Sequence, residues 1–589
     1  MNPTESTNVA RGSVRIPMIQ TCQALESLRD SGHSLSTALA EPVDNSIEAR
    51  ANVIQVWLDQ SKNSRGKSHV HRITIADDGT GMDDNTLHHY LQIGFSTRYM
   101  RNDTIGKYGV GAKLAALNFG RRIDVWSRDD ARKPWQHVYF DLDEAIQEER
   151  SGKAPGVEAP DVGPLPEDLK VQVPAGSGTI VIWSKVERLE EGRFAQNFDD
   201  LRVEVEKELS RIFRYFIAGG IRLSVNETLL LPHDPLFLME GSWADKVLTE
   251  HLVSDKRGSR DAQVASRHFP ARLICDRQIP VPGTGGQKVR LRVTLYPKEV
   301  VRKRQMGGDK LATKLRVPEN EGCISFVRLE REISYTNVPR IFPRGVENPD
   351  RFIGIEVAFS PVLDSFFGVR NVKRGVEPHG ELRDALRKEL QQHVAAARKE
   401  LEAIWGQVAQ ETRETEGEHA PVVDAVKAAD LTLPKGRVEE KLPPDEVEQK
   451  LRDIARDVVG EEDEKKQEEY VAKIRELPFV LESVSFPGNM FIDVQHINNQ
   501  VIIRLNTRHR FYREMWEPIK SIAHRDAGSV SGAEAVQTAR RTLEALTLLV
   551  IAYGKAESMH PTPTHQYSEL VMYWGQFLDT LMGKVKDVL

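Results

Sequence analysis

The chain has 589 residues, with 87 Asp and Glu against 81 Lys and Arg, a formal net charge of -6 at pH 7. That length is too great for one hydrophobic core and implies three or four domains, while the slightly acidic balance excludes a global basic field, so any nucleic-acid contact must come from a local patch. The three cysteines, Cys22, Cys275 and Cys323, are scattered without a Cys-x-x-Cys pair, which argues against a disulfide framework or a zinc site and fits a reducing cytosol.

In chain order, residues 1–17 read as a polar arm with no apolar signal core, which predicts a cytoplasmic protein. Met18–Arg29 has helical spacing. Ser34–Arg50 reads as a second helix, capped by Ser34 or Ser36. Pro42 lies inside it, directly after Glu41. It removes a backbone donor and crowds the preceding turn, so a kinked or irregular turn is expected at Glu41. Val53–Leu58, Arg72–Ala76, Arg122–Ser127, Val138–Leu142 and Thr179–Trp183 alternate like strands. Residues 151–178, rich in Pro and Gly, read as a surface loop. Phe198–Phe216 is a charged helix. Strand-like runs follow at Lys288–Tyr296 and Cys323–Leu329. Leu382, Leu386, Leu390, Val394, Leu401 and Trp405 then repeat at helical spacing. Residues 410–470 are mostly charged and read as linker plus exposed helix, broken at Pro443-Pro444. Asn489–Asn506 predicts a hairpin turning at Asn498-Asn499. Two or three helices complete the chain, and its most apolar run, Leu546–Tyr553, is too short to span a bilayer.

Three stretches carry the chemistry. In Glu41-Pro-Val-Asp-Asn45 the acid and the amide are four apart, which stacks them one turn apart on a helix. A carboxylate there can take a proton from water, and an amide oxygen can ligate a hard cation such as magnesium. Asp77 ends a strand and begins Asp77-Asp-Gly-Thr-Gly81, where an anionic acceptor can hold an exocyclic amine; a plain turn-forming role, alone or shared with Asp78, is the bland alternative. Gly106-Lys-Tyr-Gly-Val-Gly111 runs into a helix at Ala112, and exposed amides at a helix start bind phosphate. A lone helical Glu is usually solvated and a lone glycine turn is usually only flexible. The stretch is not a Walker A loop, because Tyr108 follows Lys107 where Ser or Thr is required.

At these residues the chain resembles the GHKL ATPases, which include gyrase-type topoisomerases, Hsp-class chaperones, histidine kinases, MutL and MORC. AEPVDNSIEA resembles the first family motif, DDGTGM the DxGxG motif and IGKYGVGAKLAA the GxxGxG motif; Gly178-Thr179 before a strand resembles the fourth. The likeness to MORC-like proteins rests on DNSIEA, GFSTRY and IGKYGVGAK. The resemblance implies a Bergerat-type ATPase α/β sandwich over residues 1–195. It also implies a transducer-like (ribosomal S5-like) α/β domain over 196–378, where ENEGCISFVRLEREI resembles a characteristic strand and turn. The resemblance fades beyond that, and the residues themselves read as a helical, charged linker region over 379–478 and a hairpin plus apolar helices over 479–589, the last a dimerisation module.

The resemblance further implies ATP and Mg2+ as ligands. Glu41 would be the general base and Asn45 the magnesium ligand. Asp77, with Thr179 behind it and Gly79, Gly81 and Met82 beside it, would contact adenine. Gly106, Lys107, Tyr108, Gly109, Val110 and Gly111 would cradle phosphate, with Lys113 either reaching a phosphate or facing solvent. From FFGVRNVKRGVEP, Lys373 would reach the γ-phosphate, with Arg370 and Arg374 as rivals. Arg302, Lys303, Arg304, Lys310, Lys314 and Arg316 cluster in one stretch, either a solvated loop or a DNA-backbone contact. The expected function is an ATP-gated homodimeric clamp on DNA. The alternative is a chaperone-like machine acting on protein clients.

Overall fold

The computed structural model describes residues 20–29, 34–62, 66–95, 111–189, 197–255, 267–301, 310–342, 345–369, 376–416, 419, 442–459, 464–475, 477, 479–497, 500–523, 525, 530–560 and 562–585. The chain divides into two compact units, residues 1–300 with 309–401 and residues 301–308 with 402–589.

The first unit opens with α1 (Thr21–Leu28), α2 (Leu35–Glu48), β1 (Val53–Lys62) and β2 (Ser68–Asp77). Next come α3 (Asp84–Tyr90), α4 (Gly111–Phe119), β3 (Gly120–Arg128), β4 (Gln136–Asp141), α5 (Leu142–Arg150), β5 (Asp161–Val162) and β6 (Gly178–Val186). The helices α6 (Phe198–Ile212) and α7 (Arg214–Ala218) lead into β7 (Arg222–Val225) and β8 (Thr228–Leu229). These strands form an eight-stranded sheet in the order β5-β4-β3-β6-β2-β1-β7-β8, antiparallel except where β1 meets β7. Leu39 and Val43 of α2, Ala115 and Phe119 of α4, and Val205 and Leu209 of α6 share one core with Ile54, Val56, Ile73 and Ile75. Burying that apolar stripe, rather than helix propensity, holds the helices on the sheet.

Three expectations change here. The first sheet does not close by residue 195, because β7 joins β1 in register from Val53↔Arg222 to Val56↔Val225. Helix α2 runs uninterrupted through Pro42. Pro42 and its neighbours Val43, Leu39 and Ala40 are buried, and that burial offsets the roughly 3 kcal/mol an interior proline costs. The Pro- and Gly-rich stretch after residue 151 also does more than cross the surface. Val171, with Leu165 and Leu169, packs with Trp126, Ile180 and Ile182 on the second face of the sheet. Gln172 and Gln55 exchange two hydrogen bonds there, of 3.0 and 3.1 Å.

The remainder of this unit is α8 (Trp243–Asp255), β9 (Arg272–Pro280), β10 (Lys288–Leu295), α9 (Lys298–Val301), α10 (Lys310–Lys314), β11 (Ile324–Arg328), β12 (Arg331–Thr336), β13 (Ile353–Phe359) and α11 (Gly380–Glu416). A second sheet has the order β12-β11-β13-β10-β9. Alternate residues, Val289, Leu291 and Val293 on β10 and Ile355 and Val357 on β13, share a core with Leu382, Leu386 and Leu390 of α11. The residues between them, Arg292 and Glu356, meet Arg214 and Tyr215 of α7 through polar contacts. One face is therefore apolar and the other charged, as the two-residue period of a strand allows.

In the second unit, helices Pro444–Val459 and Glu464–Ile474 pack on β14 (Phe479–Val484), β15 (Ile492–Ile497) and β16 (Gln500–Asn506). The sheet order is β14-β16-β15, with Ile497 opposite Gln500; Asn498 and Asn499, the expected turn, lie outside the described residues. Leu451, Ile454 and Ala455 are buried, so Pro444–Val459 contributes a core face rather than an exposed linker helix. Helices Glu517–Ala523, Gly532–Glu557 and Pro563–Val585 complete the unit. Ser531 and Glu534 form a reciprocal capping box at the start of Gly532–Glu557.

Candidate functional site

Ser34 starts α2 by accepting a hydrogen bond from Thr37 N, 3.3 Å away, on its hydroxyl. From there the 3.6-residue period sets the fate of each side chain. Ala40, Val43, Asp44 and Ser46 are buried, while Glu41 and Asn45 are only partly so. The acid and the amide thus share the open face expected from their spacing. Helices α2 and α4 pack together, and a Cβ placed on Gly111, the first residue of α4, would lie 2.2 Å from Glu41 Oε2. The Glu41 carboxylate therefore sits directly against the backbone that begins α4, and glycine is what leaves it room.

The end of β2 supplies the second element. Asp77 Oδ2 accepts from Ser46 Oγ at 2.8 Å and Oδ1 accepts from Gly79 N at 2.9 Å. Burial raises the Asp77 pKa above its usual range, and the bonds from Ser46 and Gly79 oppose that rise. Asp77 thus closes its own turn onto Gly79, while Asp78 Oδ1 accepts from Asn52 N at 2.7 Å and Val53 N at 2.8 Å, tying down the start of β1. Gly81 has φ +67°, and a Cβ there would meet the Arg128 carbonyl oxygen at 2.0 Å. Beyond it, Met82 N donates to Ser127 Oγ at 3.0 Å, and Met82 packs against the core. Thr179 pairs with Asp77 across β6 and β2, and its hydroxyl lies 3.0 Å from Ser127 Oγ.

The structure thus brings Glu41, Asn45, Asp77, Gly79, Gly81, Met82, Gly111 and Thr179 into one region, where α2, the end of β2 and the starts of α4 and β6 meet. Lys113 lies on the same helix as Gly111 but points elsewhere. Its ammonium donates to the carbonyls of Gln92 and Phe95 at 2.6 and 3.1 Å, and burial lowers its pKa to about 8. Gly106, Lys107, Tyr108, Gly109 and Val110 lie outside the described residues, as do Lys373 and its rivals Arg370 and Arg374. Of the basic stretch, Arg302, Lys303 and Arg304 also lie outside them. Lys310 and Lys314 are exposed on α10. Arg316 turns inward: its Nη1 donates to the Lys207 carbonyl at 2.8 Å, and burial lowers its pKa to about 10. Arg316 serves α6 and is withdrawn from the expected basic surface.

Three contributors escaped sequence reasoning. Ser46 holds Asp77, and its one signal is a small hydroxyl directly after Asn45. Ser127, directly opposite Thr179 across β3 and β6, joins it to Met82. Tyr90, on α3, is hydrogen-bonded to the Asn45 side chain, and burial raises its pKa to about 12; no pattern in the sequence pairs those two positions. Among the described residues no group of three or more His, Cys, Asp or Glu could hold a metal ion by itself. Magnesium bound together with phosphate oxygens needs only one or two protein ligands, and the partly open Asn45 amide beside Glu41 fits that demand. No helix among the described residues is long and apolar enough to cross a membrane.

Comparison with known proteins agrees with this geometry. Residues 33–165 match the family model for histidine kinase-, DNA gyrase B-, and HSP90-like ATPases. Protein MICRORCHIDIA 4 of Arabidopsis thaliana is 35% identical over 92 residues, 15% of this chain and 11% of that protein. MORC family CW-type zinc finger protein 3 of Mus musculus is 32% identical over 95 residues, 16% of this chain and 10% of that protein. ATPase MORC2 of Homo sapiens is 31% identical over 94 residues, 16% of this chain and 9% of that protein. The matched stretch thus spans about a tenth of the length of these relatives. Residues 33–165 thus match the model for ATPases of the histidine kinase, gyrase B and HSP90 type, and the chain is similar over 92 to 95 residues to MORC proteins.

Proposed function

We propose that this chain binds and hydrolyses ATP. The observation that carries the reading is the pair of carboxylates at one site: Glu41 set against the start of α4, and Asp77 held at the strand end by Ser46 and Gly79. Asp77 accepts a hydrogen bond from the exocyclic amine of adenine, backed by Thr179, while Gly79, Gly81 and Met82 keep the backbone close to the base. The glycine-rich stretch from Gly106 to Gly111 cradles the phosphates with its amides. Glu41 takes the proton from the water whose oxygen bonds to the γ-phosphorus as the bond to the β–γ bridging oxygen breaks, leaving ADP and phosphate. Magnesium held by Asn45 would neutralise charge on the phosphate oxygens. Lys373 is the candidate to reach the γ-phosphate from outside the ATPase domain.

The wider reading is an ATP-gated homodimeric clamp. The support is apolar: Leu543, Leu546, Val550 and Ile551 on Gly532–Glu557, with Leu570, Trp574 and Leu578 on Pro563–Val585, are all exposed. Water-facing apolar rows of that length are the mark of a partner surface. Lys310 and Lys314, with Arg302, Lys303 and Arg304, are the candidates for DNA-backbone contact. Duplex binding that weakens steeply with salt would support the DNA clamp, and salt-insensitive capture of unfolded protein would support the chaperone-like alternative.

ATP binding and turnover in Glu41→Ala test the central step. Retained ATP affinity with turnover slowed by roughly 10²–10⁴ is expected; near-normal turnover places the base elsewhere. Asn45→Ala should lose magnesium-dependent affinity, and unchanged affinity in magnesium rejects it as the ligand.

A further inference from the structure

Helix α2 carries Glu41 and Asn45, and between them the buried residues are Pro42, Val43 and one charged group, Asp44. It is buried, and its partner comes from 287 residues along the chain: Arg331 Nε lies 3.2 Å from Oδ1 and Nη2 lies 3.2 Å from Oδ2. Arg331 is the first residue of β12, the edge strand of the second sheet. Its guanidinium has little freedom, because Nη1 donates to the Glu332 carbonyl at 3.1 Å and the group lies 5.9 Å from the Phe213 ring centre. A two-sided guanidinium–carboxylate pair fixes orientation as well as distance.

The next residue anchors the other side. The Glu332 carboxylate accepts from Arg211 and Arg214 of α6 and α7, both at 2.7 Å, and from Ser325 Oγ at 2.6 Å. Two adjacent β12 residues thus grip α2 and the α6–α7 segment. The turn just before them is strained: Leu329 and Glu330 have φ +50° and +63°, values suited to Asn or Gly in a two-residue hairpin. Arg328 and Arg331 pair directly across that turn, so the strained loop sets the position from which Arg331 reaches Asp44.

We propose that Arg331 is a positioning residue for the nucleotide site: through Asp44 it sets the aim of Glu41 and Asn45 and makes α2 answer to the placement of the second sheet. A shift of β12 must then either carry α2 with it or break a buried charge pair one residue from Asn45. The proposal rests on the ATPase reading for its kinetic consequence, but its structural consequence stands apart from it.

The experiment compares wild type, Arg331→Ala, Arg331→Lys, Asp44→Asn and the Arg331→Ala/Asp44→Asn double variant. Turnover, ADP affinity and hydrogen exchange of the α2 amides are read for each. The expected result is a fall in kcat of about tenfold in Arg331→Ala and in Asp44→Asn, with ADP affinity kept within about twofold. Arg331→Lys should recover part of the loss, and the double variant should be no worse than either single. The α2 amides should exchange faster in both single variants. Additive losses, or ADP affinity falling in step with kcat, would reduce the pair to a structural contact and overturn the proposal. Unchanged kcat together with unchanged exchange overturns it as well. If wild type shows no turnover, the ATPase reading fails instead, and α2 exchange still decides the role of Arg331. If Arg331→Ala does not fold, Asp44→Asn and Arg331→Lys, which keep the size of the side chain, carry the same readouts.

Discussion

Two helical surfaces treat their neighbours in opposite ways. The α6–α7 segment offers charge to the charged face of the second sheet. Arg214, fully buried, donates from Nη1 to Glu332 and from Nη2 to Ser325 and Glu356, at 2.7, 2.8 and 2.7 Å. Glu356 also accepts from Tyr215 and Arg292, and burial is outweighed by these partners, so Glu332 and Glu356 both keep pKa values below the usual range. Helices Gly532–Glu557 and Pro563–Val585 offer apolar side chains to water instead: Leu543 is 67% exposed and Ile551 61%. The first surface is completed within the chain. The second buries only Ala545 among the described residues of Gly532–Glu557, and a second copy of the same helices is the occupant proposed for it. A buried charge network fixes one arrangement because any other strands a charge; an apolar row accepts any complementary apolar row, and symmetry then favours its own copy.

The sharpest way to break this comparison is to remove Arg214. Arg214→Leu should cost about 3–5 kcal/mol, because Glu332 and Glu356 are left buried with fewer cations. Urea unfolding of the full chain measures it, and a loss under 1 kcal/mol would mean that water has replaced the guanidinium. The apolar side gives the opposite signature. Leu543→Asp with Ile551→Asp should change thermal stability of the isolated chain by no more than about 0.5 kcal/mol per site. The same pair should turn a dimer into a monomer in light scattering, and a dimer that persists would place the interface on another surface. A third effect, read only as a pH dependence, concerns Lys113. Burial holds its folded pKa at about 8, below the usual 10.5 of a lysine, so the native state favours the neutral amine. The stability this adds is present above about 10.5 and is lost as pH falls through about 8. Relative to Lys113→Met, wild type should therefore gain stability between pH 8 and pH 10 in paired denaturation curves, and a flat difference would mean that the ammonium is better solvated than its burial implies.

Much of the site is legible in the residues themselves. Glu41 and Asn45 can be paired from a spacing of four, because helical period alone puts them on one face. Asp77 can be placed at a strand end from the alternation before it and the glycines after it. What spacing could not show is how these residues are held. Ser46 reaches Asp77, Tyr90 reaches Asn45 and Arg331 reaches Asp44 across 31, 45 and 287 positions, and no local period encodes such distances. Pro42 marks the same divide, since local propensity favours a broken turn and burial of the surrounding helix keeps it whole. Arg316 shows it in charge, because a basic run reads as exposed until packing directs one member inward. The sequence by itself determined the element types, the two carboxylates, the amide and the glycines, because those depend on periods of two and 3.6 residues and on local turn chemistry. Only the tertiary structure decided which sheet β7 joins, what covers the second face of the first sheet and which buried charges meet, because each depends on chain segments that become neighbours only after the core has formed.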